Sequence, residues 1–307
     1  MNTALPLITV FGATGRQGGG VARALLAQRG WRVRAVTRRP ESAAAQALLA
    51  NGAELFHADL DDPASLAPAL RGAAGAFCVT NFWEHGDAAR ELRQARHLAD
   101  AAAAAGVVRL VWSTLEDTRA AGFSVPHMDA KAQANAFFLE HELPVSLLLT
   151  SFYWDNLIDG GMGPHRAADG VLELALPLGN ARLPGIAAAD IGVCAAALLA
   201  LKPAQRRVGV AGEHLGGEQM AVALAEALGE PVRWRDVPLN DYARQPFAGA
   251  AELAAMFAFK QRANAAYCAA RPVEASRALH PGLLDFRAWL KGQIPRLRAA
   301  LQPVRAA

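Results

Sequence analysis

Residues Leu7 to Phe11, a short, mostly apolar run with three β-branched residues, lead straight into Gly12-Ala-Thr-Gly15-Arg-Gln-Gly18, and a helical stretch follows from Gly19 to Gln28. Strand, glycine loop and helix in that order form a cradle for a diphosphate. Gly12 can take the dihedrals of the tight turn, Gly15 removes a side chain where backbone must approach the pyrophosphate, and Gly18 lets helix and strand pack closely. The helix start then offers free N–H groups and the positive end of its dipole to the phosphates. The spacing is GxxGxxG, one residue longer than the usual GxGxxG. By itself it is also compatible with a merely tight turn, and the flanking strand and helix favour dinucleotide binding.

The first half alternates short strand-like runs with alanine-rich helical ones. Strands are expected at Leu7–Phe11, Arg32–Thr37, Glu54–His57, Ala76–Thr80, Leu110–Ser113 and Ser146–Leu149. This pattern predicts an α/β fold, a Rossmann-type doubly wound parallel sheet. Gly30 and Gly52 stop two helices, and Asp62-Pro63 opens another. After Thr150 a loop rich in Gly, Pro and Asp runs to about Gly170. A helix at Asp190–Leu201 and a strand near Val208–Ala211 suggest a return to the sheet. Further helices are expected at Gly216–Leu228, Asn240–Arg244, Ala250–Tyr267 and Asp285–Leu301. The expected organisation is a nucleotide-binding domain over residues 1–155, rejoined by a segment near 186–211. A smaller, mainly helical C-terminal domain over 156–307 would bind substrate or partner.

About 20 residues beyond the glycine loop, NAD-binding folds of this kind place an acidic residue on the ribose 2′-hydroxyl. Here the second strand ends in Thr37-Arg38-Arg39. No carboxylate stands there, and a guanidinium fork suits a 2′-phosphate, so NADP(H) is preferred over NAD(H). Either arginine alone is also readable as solvated surface. Asp59 or the backbone of Leu60 would border the adenine, whereas Asp62 is better explained as a helix cap. Thr80-Asn81 ends the fourth strand at the topological switch point, with Phe82 and Trp83 beside it as core or as pocket wall.

The net charge is only +3 and basic residues are scattered, so no direct nucleic-acid binding is expected. Cys78, Cys194 and Cys268 form no CxxC pair and suggest neither metal nor disulfide. A reducing, cytoplasmic setting fits them. The apolar start lacks a basic leader, and the longest apolar stretches fall short of the roughly 20 residues of a membrane span.

Taken in order, Gly12-Ala-Thr-Gly-Arg-Gln-Gly18, Thr37-Arg38, Asp59-Leu-Asp61-Asp62, Thr80-Asn-Phe-Trp-Glu84, Lys131, Tyr153-Trp-Asp-Asn156 and Met256-Phe257 resemble the NmrA-like family. Its members are atypical short-chain dehydrogenases/reductases, and the likeness is closest to NmrA-like NADPH-sensor proteins. The resemblance implies an NADP-binding domain with a cleft against a smaller one. Cofactor contacts would fall on Gly12, Ala13, Thr14, Gly15, Arg16, Gln17, Gly18, Arg38, Lys131 and Tyr153, Trp154, Asp155 and Asn156. Sensor-type members often carry a lysine shortly after the arginine, where this chain has Ser42; Arg39 would compensate.

Catalytic short-chain reductases carry Tyr-x-x-x-Lys on a helix, which sets both side chains toward the nicotinamide. This chain reads His127-Met-Asp-Ala-Lys131. His127 is readable as a bland residue beside the helix-starting Pro126, as a substitute general acid, or as a substrate or partner contact. Ser113 falls where the superfamily commonly keeps an oxyanion-stabilising hydroxyl, or else satisfies a strand end. Two functions follow. The first is a regulator that responds to the NADPH/NADP balance through a protein partner. The second is an NADPH-dependent reductase of a quinone, enone or other small activated acceptor, since a phenolate-like product needs little acid help. Phe82, Phe152 and Trp154 would wall an apolar substrate cleft or else belong to the core, as aromatics at strand ends more often do, and Tyr153, Asp155 and Glu116 are readable as pocket donors, though each by itself is better explained as structural. A homodimer is compatible with either.

Overall fold

The computed structural model describes residues 5–202 and 204–302. The ends of both expected domain ranges, 1–4 and 303–307, lie outside the described residues. In chain order the first half gives β1 (Leu7–Val10), α1 (Arg16–Gln28), β2 (Arg32–Thr37), α2 (Ala43–Ala50), β3 (Glu54–His57), α3 (Pro63–Leu70), β4 (Ala73–Cys78), α4 (Ala88–Ala104), β5 (Leu110–Thr114), α5 (Pro126–Glu140) and β6 (Val145–Leu149). The second half adds β7 (Phe152–Tyr153), α6 (Asn156–Asp159), β8 (His165–Arg166), β9 (Leu172–Leu176), β10 (Leu183–Ile186), α7 (Ala188–Ala200), β11 (Arg206–Gly209), β12 (Glu213–Leu215), α8 (Gly217–Leu228), β13 (Val232–Asp236), α9 (Leu239–Ala243), α10 (Ala250–Arg262), α11 (Asn264–Ala269), α12 (Val273–Leu279) and α13 (Phe286–Ala300).

Seven strands form one parallel sheet in the order β11-β6-β5-β4-β1-β2-β3. The order reverses between β1 and β4, which opens a crevice above their C-terminal ends, where doubly wound sheets bind ligands. Each face is covered by a continuous apolar cluster. Ile8, Val10, Val33, Phe77 and Val111 pack under α1 and α7, and Phe11, Leu66, Leu98, Trp112 and Phe138 pack with α3, α4 and α5 on the other face. The chain's return to the sheet depends on two small residues. A Cβ on Gly20 of α1 would stand 3.2 Å from the Ala188 carbonyl oxygen and 3.5 Å from Cα of Gly192, so the two helices approach at backbone distance.

The fourth strand starts at Ala73, three residues before its expected start, and stops at Cys78. Ala-Ala-Gly has little intrinsic strand preference, but β4 lies between β1 and β5 and its neighbours impose the conformation. The helix expected over Ala250–Tyr267 breaks at Ala263 into α10 and α11. The C-terminal part is largely helical yet contains two three-stranded sheets, β12-β10-β7 and β13-β9-β8, that the sequence reading missed. Pro184 and Gly185 disguise β10, whereas β9 does show alternation, with Leu172, Leu174 and Leu176 buried. Among the described residues, no helix is long and apolar enough to cross a membrane.

Candidate nucleotide site

The glycine loop joins β1 to α1 at the sheet's crevice. Gly12 has φ +63, a region that costs a residue with a Cβ, and the Gly15 N–H closes the turn onto the Gly12 carbonyl at 2.9 Å. A Cβ on Gly18 would lie 2.7 Å from the Phe11 carbonyl oxygen, so strand and helix meet only because that position is bare. Ala13 is buried and donates its N–H to Val36, while Thr14, Gly15 and Arg16 are exposed along the loop. Ser42, Asp62 and Asp87 cap α2, α3 and α4 with their side chains, but α1 has neither a capping side chain nor an acid in its first turn. Its first N–H groups are therefore available to an anion. A diphosphate fits this cradle.

Two loop side chains reach the other wall. Arg16 Nη1 donates to Asn156 Oδ1 at 2.6 Å. Gln17 donates through Nε2 to the Tyr153 hydroxyl and accepts at Oε1 from Ser113 Oγ at 2.8 Å. Tyr153, Ser113 and the loop thus share one amide, and burial raises the Tyr153 phenol pKa.

Arg38 follows β2 at one side of the crevice. Its Nη2 lies 2.6 Å from Glu84 Oε1, beyond the end of β4. Because β2 and β4 flank β1, this pair spans the mouth above the glycine loop. Arg39 is exposed and its backbone N–H donates to Thr37 Oγ1 at 3.1 Å. Asp59 and Leu60 lie in a fastened turn. Asp59 N–H donates to Ser65 Oγ, Asp59 Oδ1 accepts the Asp61 N–H, and the Leu60 carbonyl sits 2.8 Å from His97 Nδ1. Asp62 caps α3 through the Ala64 N–H, and Asn81 is exposed at the end of the fourth strand's loop.

Lys131 is not a free amine. Its Nζ donates to the Thr80 carbonyl at 2.9 Å and Thr80 Oγ1 at 3.0 Å, and lies 2.9 Å from Glu91 Oε1. Glu91 is wholly buried and also accepts from Thr80 Oγ1 at 2.6 Å. Thr80 is accordingly a buried link in this cluster. His127 is buried at the start of α5, where Glu252 of α10 takes both its backbone N–H (2.9 Å) and Nδ1 (2.7 Å). Burial lowers the His127 pKa, opposed by Glu252, and so disfavours the imidazolium that a general acid requires. Trp83 and Phe82 lie over the ring with centroids at 4.8 and 5.9 Å.

The segment 153–156 divides by role. Trp154 is almost fully buried against Phe286 and Trp289, in the same apolar cluster as Phe152, and its backbone N–H donates to the Ile186 carbonyl. The expected aromatic cleft is corrected accordingly: Phe82 packs with Trp83, His85 and His127, not with Phe152 and Trp154. Asp155 Oδ2 accepts the Ala188 N–H at the start of α7, because that helix has no cap of its own.

Sequence reasoning missed Glu91, Glu252 and a buried cluster around Arg271. Arg271 forks onto Glu116 (2.5 and 2.9 Å), donates to the Thr150 carbonyl, and stacks 3.8 Å from the Tyr267 ring centroid. Lys260 is buried beside it, with Met256 Sδ at 3.2 Å as its hydrogen-bond acceptor. Glu91 did carry a signal, since it falls in step with the buried Ala95, Leu98 and Ala102 on the inner stripe of α4. Among the described residues, no group of three His, Cys, Asp or Glu could hold a metal ion.

A model of the NmrA-like family matches residues 6–290. The chain belongs to that family. It is 31% identical over 303 residues to the NmrA-like family domain-containing oxidoreductase lnbB of Aspergillus flavus, covering 89% of this chain and 88% of that protein. The match to the NmrA-like family domain-containing oxidoreductase himF of Aspergillus japonicus is 43% identical over 136 residues, 42% of this chain and 41% of that protein. Among solved structures, the negative transcriptional regulator NmrA in complex with NADP superimposes with a TM-score of 0.78 at 21% identity, covering 95% and 96% of the two chains. That regulator has also been solved with NAD.

Proposed function

We propose that this protein binds NADP(H) along the glycine loop, with Arg38 reading the 2′-phosphate, and passes hydride to a small activated acceptor such as a quinone or enone. One observation carries the choice of acceptor. The tyrosine acid is absent, and the residues at the superfamily's three catalytic positions are already engaged inside the protein: Ser113 with Gln17, Lys131 with Thr80 and Glu91, His127 with Glu252. A simple ketone would demand a proton as hydride arrives, because its product is a strongly basic alkoxide. A quinone leaves a phenolate-like anion, which needs only electrostatic support. The likeness to the oxidoreductase lnbB, which runs along most of its length, supports a hydride-transfer role. The test is NADPH consumption against a panel of quinones, enones and simple ketones. Turnover confined to the first two is expected; preferential reduction of simple ketones would contradict the assignment.

A regulatory role is the second reading. The contact of Trp83 and Glu252 with His127 favours it, because it ties the cofactor rim to α10 of the C-terminal part. It requires the oxidised and reduced cofactor to prefer different conformations, since equal affinity shifts no population. No turnover on the panel, together with altered proteolysis of residues 240–302 on adding NADPH, is the outcome that reading expects.

A further inference from the structure

Glu84 presents a carboxylate to Arg38. Its carboxylate meets the Arg38 guanidinium at 2.6 Å across the mouth of the crevice, above the glycine loop. Phe82, Trp83 and Glu84 form one short 3₁₀ turn, pinned by the His85 and Gly86 N–H groups donating to the Phe82 carbonyl at 3.1 and 2.8 Å. Glu84 therefore cannot shift far without carrying its neighbour. Trp83 lies 4.8 Å, centroid to centroid, from His127, and a Cβ on Gly249 would touch its ring at 3.0 Å. His127 is in turn held by Glu252 of α10. A line of contacts thus runs from Arg38 through the turn to the C-terminal part.

We propose that Glu84 is an internal stand-in for the cofactor's 2′-phosphate, so that NADP(H), unlike NAD(H), must displace it from Arg38 and in doing so moves Trp83 off His127. The inference rests on the cofactor reading above, which both functional readings share. A dianionic phosphate and a carboxylate repel one another around a single guanidinium, so the weaker anion leaves. The 2′-hydroxyl of NAD(H) is neutral and a donor. It can hydrogen-bond to the Glu84 carboxylate and leave the ion pair standing. Both partners are partly solvated, with 45% and 40% of the side chains exposed, so the pair is a weak competitor. Glu84 consequently lowers the preference for NADP(H) and converts the presence of the phosphate into a movement.

The test uses the full chain, with NADPH, NADH, 2′,5′-ADP and 5′-ADP as probes. Glu84→Gln is expected to tighten NADPH binding by about two- to fivefold, the range an exposed ion pair commands, and to leave NADH unchanged or weaker. Tryptophan emission should respond to 2′,5′-ADP and not to 5′-ADP, and Trp83→Phe should abolish the difference. Equal tightening of NADPH and NADH, or no tightening of NADPH, overturns Glu84 as the competitor. An identical emission response to both ADP isomers overturns the movement. If neither dinucleotide binds the wild-type chain, the cofactor reading itself falls, and the proposal with it.

Discussion

Lys131 Nζ and Glu91 Oε1 stand 2.9 Å apart in the interior, and Thr80 supplies the two remaining acceptors of the ammonium. The lysine side chain is 11% exposed and the glutamate not at all, so each charge depends on the other for its place in the fold. Removing one partner of a buried pair strands the other at a cost of about 3–5 kcal/mol, whereas replacing both with apolar residues is often neutral. Glu91→Leu is expected to lose that much in chemical denaturation, and Glu91→Leu with Lys131→Met to recover most of it. Additive losses in the double variant would contradict the coupling.

Lys260 gives a pH dependence with a definite sign. Burial pushes its pKa down to about 7, helped by the nearby Arg271 and opposed by Glu116, while Phe257 and Tyr267 flank the ammonium with ring centroids at 5.5 Å. The unfolded chain keeps this proton up to about pH 10.4. Between about pH 7 and 10 the unfolded state therefore binds more protons, and stability contributed by this group rises with pH by up to about 1.4 kcal/mol per unit. Below about pH 7 the cost of burying the charge is fully present. Lys260→Met is expected to raise stability at pH 6 and to flatten that rise. A stability profile between pH 7 and 10 that the substitution leaves unchanged would show that the lysine is not the titrating group.

Trp154 separates packing from binding. Its indole lies 5.3 Å from the Phe286 ring and 5.8 Å from Trp289, centroid to centroid, and is 1% exposed. Truncating a buried large aromatic costs about 3–5 kcal/mol. Trp154→Ala is therefore expected to lower the thermal midpoint strongly, while NADPH affinity, measured where the variant is still folded, changes less than about twofold. A selective loss of affinity at unchanged stability would place the indole at the cofactor after all.

Much of the first half was legible because its signals are local. The glycine loop, the Asp62-Pro63 helix start and the short strand-like runs of β2 and β3 depend on neighbours in sequence, and β2 and β3 match the expected ranges residue for residue. What escaped depends on contacts distant in sequence. Arg38 and Glu84 were both visible as motif residues, but their meeting follows from the order β4-β1-β2, which no spacing reveals. Glu252 reaches His127 over 125 positions and Arg271 reaches Glu116 over 155. The resemblance carries the whole segment Tyr153–Asn156 toward the cofactor, but the strand ends at Tyr153 and the chain turns at Trp154, which sends the indole to Phe286 and Trp289 instead. The two small sheets were missed because β7, β8 and β12 have only two or three residues, too few to show a period.

The central claim is that the crevice over Gly12–Gly18 takes NADP(H) and that Arg38 recognises its phosphate. Titration calorimetry of NADPH and NADH into the wild-type chain and Arg38→Ala tests it most directly. Losing charge-assisted hydrogen bonds to phosphate is expected to weaken NADPH about tenfold or more, with NADH changed less than about twofold. Equal losses for the two nucleotides, or a wild-type chain that binds NADH as tightly as NADPH, would contradict it.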